Sequence, residues 1–394
     1  MKKNNIKLAI LSMSSLLMIS MTASAILADI AAHFPQVELS VIQMVLAVPS
    51  LLAMFFALMS GPLSVKISKK SLVLFGLVSG FIGGMLGLTL GTTNVYILIF
   101  ASVLIGVAQG INSTMTMALI ADFFDGEERG TLMGLQSAFV NGGSMLILLT
   151  AGMLGGIKWN YSYLIYILFL PVFFIVSKNL PRQNRVHEES EMDGDGKLNG
   201  TVYFNCLIIL VFGIMTFVFQ SNIAIVMNSN GLGDASTTGL VNSFMTGIGM
   251  LTGVFYGKIR KVLKNFIIPF ALVAVGTGTL LIYAMTSIQT IFLAAFLGGF
   301  AMSSTIPTIM FNVSNAVSAS KSSMAIALAN GSVSIGMFIS PFIINPLAES
   351  LNPGSVEFKY MMSGIGLLTL AVVAFFGYKA IDKFSSKSMD PIEN

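Results

Sequence analysis

The chain has 394 residues, of which 55% are hydrophobic and only 10% charged, and its net charge at pH 7 is +4. So apolar a composition excludes a water-soluble globular domain, and basic residues scattered over short loops exclude a nucleic-acid surface. The single Cys206 excludes a disulfide framework and a cysteine metal cluster.

A hydrocarbon core roughly 30 Å thick takes about 20 apolar residues per helical crossing, and twelve such stretches follow one another. Their continuity predicts helices, because barrel strands would alternate polarity over about ten residues. The first span, 8–30, follows Lys2, Lys3 and Lys7, and with Ala23-Ser24-Ala25 it imitates a secretory leader. Apolar character runs on to Ile30, which predicts a retained span. Asp29 is the one carboxylate inside a predicted span, near its outer end. It is either a wet helix terminus or the proton acceptor of a coupled carrier. His33 and Glu38 in the next loop read as solvated.

The second span, 42–63, leads into a basic loop with Gly61, Lys66 and Lys69, and the third covers 72–90. The fourth, 95–120, carries Gln109 and Asn112, three apart and so expected on one face, and ends at Asp122. After Arg129 comes a fifth span, 131–157, with Asn141. The sixth, 163–176, is short for a crossing, which predicts an extension towards Trp159 or Ser177. Residues 181–200, dense in charge and including His187, read as a solvated linker. Beyond it lie spans at 202–226 with Gln220, 237–256, 266–283, 291–312 with Ser303, Ser304 and Thr305 before Pro307, 323–347 with Asn330, and 360–378. The expected fold is an all-α membrane protein of twelve transmembrane helices. Its six-helix halves, 1–180 and 201–385, are pseudo-symmetric, and a tail covers 386–394.

The halves share a register. Gly61-x4-Lys66-x2-Lys69 recurs 192 positions later as Gly253-x4-Lys258-x2-Lys261, and Arg129 matches Lys321 at the same offset. Parallel duplicated halves are how many secondary transporters are built. With twelve spans both termini share one side, which holds all but Lys158 and Lys359 of the 21 basic residues. The positive-inside rule predicts that this side is cytoplasmic, and the expected setting is a bacterial-style cytoplasmic membrane.

These features together resemble the major facilitator superfamily over essentially the whole chain. The family's loop after the second helix, Gly-x3-Asp-Arg/Lys-x-Gly-Arg/Lys-Arg/Lys, is matched at Gly61, Lys66, Lys69 and Lys70, with Val65 in place of the acid and Ser68 in place of the second glycine. In the second copy Gly257 stands at the acid position. The segment from Asp122 to Gly143 is similar to the family's loop after the fourth helix. Ala151-Gly152-Met153-Leu154-Gly155-Gly156 is similar to its antiporter motif without the proline, a spacing that close helix packing also favours. The arginine that many proton-coupled members carry in the fourth helix would fall at Gly106. The resemblance implies a cytoplasmic gate formed by Gly61, Lys66, Lys69, Asp122, Arg129, Gly253, Lys258 and Lys261.

No lysine or arginine is predicted deep in the hydrocarbon, where a charge is costly, so an ionic substrate is disfavoured. The candidate cavity residues are uncharged: Gln109, Asn112, Asn141, Gln220, Ser303, Ser304, Thr305 and Asn330. Each could equally be an interhelical hydrogen bond. The expected activity is export of small, mainly apolar or neutral organic compounds in exchange for protons. Uptake of a neutral nutrient and a non-transporting receptor with a carrier fold stay open as alternatives. No nucleotide-binding loop or nucleophile constellation is present, so neither an enzyme nor a metal or cofactor beyond the proton gradient is expected. The expected partners are membrane lipid and a small molecule, and the chain is expected to be a monomer.

Overall fold

A computed structural model describes residues 3–181 and 199–387; most of the linker, with His187, and the tail beyond 387 lie outside them. Twelve helices among these residues are long and apolar enough to cross a membrane. In the first half they are α1 (Lys3–His33), α2 (Leu39–Lys66), α3 (Lys69–Thr89), α4 (Val95–Phe123), α5 (Gly126–Ile157) and α6 (Trp159–Asn179). In the second they are α7 (Gly200–Ser229), α8 (Ala235–Leu263), α9 (Ile267–Ala284), α10 (Ile288–Asn315), α11 (Ala319–Leu351) and α12 (Glu357–Lys387). Large apolar side chains such as Phe75, Phe100, Leu146, Phe174 and Phe376 stand exposed on them. Lipid, which is as apolar as they are, is the solvent in which that exposure carries no penalty.

Two helices start earlier than their apolar runs. α5 begins at Gly126, so Glu127 and Glu128 occupy its first turn, where the positive end of the helix dipole favours carboxylates. Arg129 is therefore helical rather than in a loop. α11 likewise begins at Ala319 and takes in Lys321. The sixth span extends both ways, from Trp159 to Asn179.

α1 is not continuous. After an α-helical stretch at Lys3–Ser14 the chain passes through a turn and a short 3-10 segment at Ile19–Thr22 before resuming at Ala23. The break is rich in hydroxyls. Ser12, Ser14, Ser15 and Thr22 each donate to a carbonyl three or four residues back, the kind of competition with the helical ladder that bends helices. The Tyr166 hydroxyl meets Thr22 Oγ1 at 3.3 Å and donates to the Ile19 carbonyl at 3.2 Å.

That tyrosine belongs to a second irregularity. The first ten residues of α6, Trp159–Leu168, form a 3-10 helix. Three residues per turn eclipse side chains three apart, and Tyr163, Tyr166 and Phe169 accordingly stack in line, centroids 5.7 and 6.1 Å apart. The ladder lies on a glycine face of α3: a Cβ added at Gly87, Gly84 or Gly80 would come within 2.5 Å of Tyr163, Tyr166 or Phe169.

The chain packs into two compact units that do not coincide with its sequence halves. The first comprises Met1–Met192, Gln220–Met250 and Pro341–Pro346; the second comprises Asp193–Phe219, Leu251–Ser340 and Leu347–Asn394. The first six helices thus form one unit with the ends of α7 and α8 farthest from the chain termini, and with a short piece of α11. The second unit has its own apolar core, built from Ile208, Phe212, Leu272, Ala301, Val313 and Leu367 among others.

Candidate functional site

At the end of the first unit that carries the N-terminus, Lys69 Nζ donates to both oxygens of Asp122, at 2.9 and 2.6 Å. Lys69 opens α3 and Asp122 lies in the last turn of α4, so each charge sits at the end its own helix dipole disfavours. Pairing offsets both. The two side chains are 22% and 28% exposed, and the lysine that reaches Asp122 is three residues beyond Lys66, which is exposed. Gly61 and Gly253 have open space where a Cβ would stand. Arg129 is exposed, and beside it Glu128 takes both Lys3 at 3.0 Å and Lys7 at 2.7 Å. In the second unit Lys258 lies 5.6 Å from the Phe255 ring, and Lys261 lines a cavity.

The uncharged candidates scatter. Gln109 Oε1 accepts from Ser20 at 2.7 Å and so ties α4 to the break in α1. Asn112 is buried and faces α3, where a Cβ on Gly76 would stand 3.0 Å from its amide. Residues three apart differ by about 60° around a helix, enough here to send the two amides to different neighbours. Asn141 donates to the carbonyl of Ser137 in its own helix, Gln220 is half-buried on α7, and Asn330 is exposed on α11.

On α10, Ser303 is half-buried, while Ser304 and Thr305 are fully buried with hydroxyls that have no hydrogen-bond partner. Next to them Pro307 cannot bond back to the carbonyl of Ser303. Thr308 donates to the Ser304 carbonyl at 2.6 Å and pairs with the Tyr256 hydroxyl at 2.9 Å. This is the one cluster of predicted cavity residues that the fold keeps together.

The opposite end of the first unit holds a polar knot. Gln43 on α2 donates to the Ser221 carbonyl (2.9 Å) and to Asn222 Oδ1 (3.0 Å) on α7. Asn345 on α11 donates to Gln43 Oε1 (2.8 Å) and to Ser40 (3.0 Å). Asn242 on α8 donates to Ser24 on α1 (2.8 Å), and Ser243 to the carbonyl of Met145 on α5 (2.9 Å). α5 and α8 touch through glycine: a Cβ on Gly152 would lie 2.7 Å from the Gly239 Cα, and the converse holds. A Cβ on Gly156 would meet Ser236 and come 3.2 Å from Asp234. The glycines of the antiporter-like stretch thus lie on a helix crossing. The knot's amides, on α2, α7, α8 and α11, are none of the polar residues expected from the sequence to line a cavity. An amide inside an apolar run, as at Gln43, Asn242 and Asn345, was the available signal.

Asp29, on the same end of α1, is half-buried and within electrostatic reach of Asp234. Asp234 caps α8, accepting from the backbone N–H and the hydroxyl of Thr237 at 3.0 and 3.2 Å. Those donors, the backbone N–H foremost, hold its carboxyl below the ordinary aspartate range. His33 contacts the Thr92 carbonyl at 2.8 Å and packs on Trp159. In the second unit Lys359, read from the sequence as an outer-face cation, is buried at the start of α12, with Glu349 in electrostatic reach. At Gly106 a Cβ would lie 2.7 Å from Leu52 and 2.9 Å from the Pro49 carbonyl. α2 fills the space that an arginine at that position would need.

The profile of the Major Facilitator Superfamily matches residues 8–341. No curated protein matches the chain. Among solved structures, the in meso crystal structure of the POT family transporter PepTSo aligns over 99% of each chain with a TM-score of 0.74. Sequence identity in that alignment is 11%, so the likeness is one of fold.

Proposed function

The chain belongs to the Major Facilitator Superfamily, and on that premise we propose that it exports small, mainly apolar or neutral organic compounds across the cell membrane by alternating access, in exchange for protons. The observation that carries alternating access is the knot centred on Gln43. It joins helices from both sequence halves through amides, hydroxyls and glycines rather than through an apolar core, so a modest free energy opens and remakes it. Neutral cargo fits the buried groups of α10, Ser304 and Thr305, which offer hydrogen bonds and no charge. Proton exchange is assigned to Asp29, the half-buried carboxylate beside the knot. The cytoplasmic side is the one with both termini, because the basic residues gather there, and the working unit is the monomer.

One observation favours a second reading, uptake of a neutral nutrient. The helix packing at Gly106 leaves no place for the arginine of many proton-coupled relatives, so a carrier that dispenses with protons also fits. Accumulation of a broad compound panel in cells with and without the protein separates the two. Export predicts accumulation lowered by the protein and returned to control by a protonophore; accumulation raised by the protein overturns it. Asp29→Asn is expected to remove the protonophore-sensitive difference.

A further inference from the structure

Besides the groups already described, the second unit contains a cavity of about 890 Å³ at the end where α8 turns into α9. Its wall carries three cations, Arg260, Lys261 and Lys264, with the amides of Asn205 and Asn312 and the hydroxyl of Tyr378. Among the described residues that line it there is no carboxylate, and α7, α8, α9 and α10 contain no Asp or Glu at all.

The internal duplication shows what is missing. At an offset of 192, Lys69 corresponds to Lys261 and Asp122 to Ser314. In the first half that pair is closed at 2.6 Å. In the second half the place of the carboxylate is held by a serine, whose hydroxyl is spent on Ser322 at 2.7 Å. Duplication has kept the cation and lost its counter-charge, and Arg260 and Lys264 stand beside it.

The wall is organised for a guest. The Arg260 guanidinium lies 3.5 Å above the Phe311 ring, a stacking that fixes its plane and leaves its N–H edge available for a fork-like contact with oxygens. The Tyr378 hydroxyl donates to Asn205 at 2.8 Å, holding the polar floor in place. Lys264 has φ 47°, a left-handed conformation unfavourable for a side-chain-bearing residue, so this cation is presented at a backbone cost. Phe311, Ile267, Ile268 and Ile381 add an apolar side. Several cations together with hydrogen-bond donors and an apolar flank suit a phosphate ester better than a carboxylate or a simple halide.

We propose that this cavity binds a phosphate-bearing anion, either the headgroup of an acidic phospholipid or a soluble organic phosphate, at a site that reaches Thr308 but not the buried Ser304 and Thr305 assigned to the cargo. The guest would supply the charge that Asp122 supplies in the first half and would steady the α8–α9 turn.

The test uses the full chain in phosphatidylcholine nanodiscs, titrated with glycerol 3-phosphate or doped with phosphatidylglycerol, with thermal stability and bound phosphate as readouts. Saturable binding in either arm supports the site, and the arm that responds names the source. An Arg260→Gln/Lys264→Gln variant is expected to bind about tenfold more weakly or worse, as the loss of two cations near a membrane surface implies. Lys264→Arg and the first-half control Lys66→Gln/Lys70→Gln should retain binding, which separates loss of the site from loss of the fold, while Arg260→Lys should weaken it because the stacked fork is lost. The proposal is overturned if neither probe binds, or if the first-half control loses as much binding as Arg260→Gln/Lys264→Gln. It is also overturned if binding emerges only in Asp382→Asn or after neutralisation of the linker acids at 188–195, because the counter-charge would then belong to the chain itself.

Discussion

Asp122 and Lys69 show how a single residue can be legible in kind but not in partner. The sequence places a carboxylate at the end of one apolar run and bases at the start of another, and the dipole argument requires that they meet. Which lysine arrives depends on where α3 begins. Ser68 caps that helix, accepting from the Ser71 N–H at 3.2 Å, which leaves Lys69 in its first turn. The pair is about a quarter exposed, so its contribution to stability is about 0.5–1 kcal/mol and its main effect should be on conformational balance. Asp122→Asn and Lys69→Gln are each expected to reduce transport, with the double variant no worse than either single one. The exchange Lys69→Asp/Asp122→Lys should recover activity. Full activity in Asp122→Asn would remove the pair from the mechanism.

Asp234, at the opposite end, can be placed against pH. Asp234 has its folded-state pKa depressed by the N–H of Thr237, so its stabilisation of α8 is fully present above the ordinary aspartate range and is lost only as pH falls through the lower folded value. Between about pH 5 and 8 its contribution is flat. A pH dependence of transport in that window should therefore survive Asp234→Asn.

At the level of elements, the number and order of helices follow from apolar runs long enough to span a bilayer, and these were legible. The irregular pieces were not. Hydroxyls in the first span favour a bend without fixing where it falls; the tertiary bond from Tyr166 helps hold the break. The aromatics at 163, 166 and 169 carry no mark of a ladder in the sequence, because only the 3-10 geometry aligns them on the α3 glycines. Gly84→Val tests that ladder. Its Cβ would meet Tyr166 at 2.1 Å, backbone-borne atoms on one side and a wedged ring on the other, so a loss of about 1–3 kcal/mol or more is expected. Gly142→Ala, in the middle of α5 with nothing within 4 Å, should instead hold or gain about 0.5–1 kcal/mol from helix propensity. Equal thermal shifts for the two would refute the ladder. The candidate site was less legible than the helices for a related reason: an amide such as Asn112 or Gln109 announces that it needs a partner, and only packing decides whether that partner is a neighbouring helix or a guest.

For the molecule as a whole, the compact units cut across the duplicated halves because the knot draws the ends of α7, α8 and α11 into the first unit. On the proposed alternating-access mechanism Gln43 acts as a latch. Its three interhelical hydrogen bonds amount to about 2 kcal/mol at the usual membrane value, so Gln43→Ala should shift the balance towards the open latch more than tenfold. Since Cys206 is the only cysteine, spin labels at Lys158→Cys and Asn230→Cys in a Cys206→Ser background report it as a growing longer-distance population. An unchanged distance distribution would mean that the knot is static packing. The most direct measurement of the central claim is export from the purified chain in proteoliposomes under an imposed pH gradient. A neutral, mainly apolar compound is expected to move against its own gradient while protons run the other way, and the movement to cease when the pH gradient is collapsed or Asp29 is replaced by Asn. Movement of the same compound that ignores the pH gradient, or movement that persists undiminished in Asp29→Asn, would contradict it.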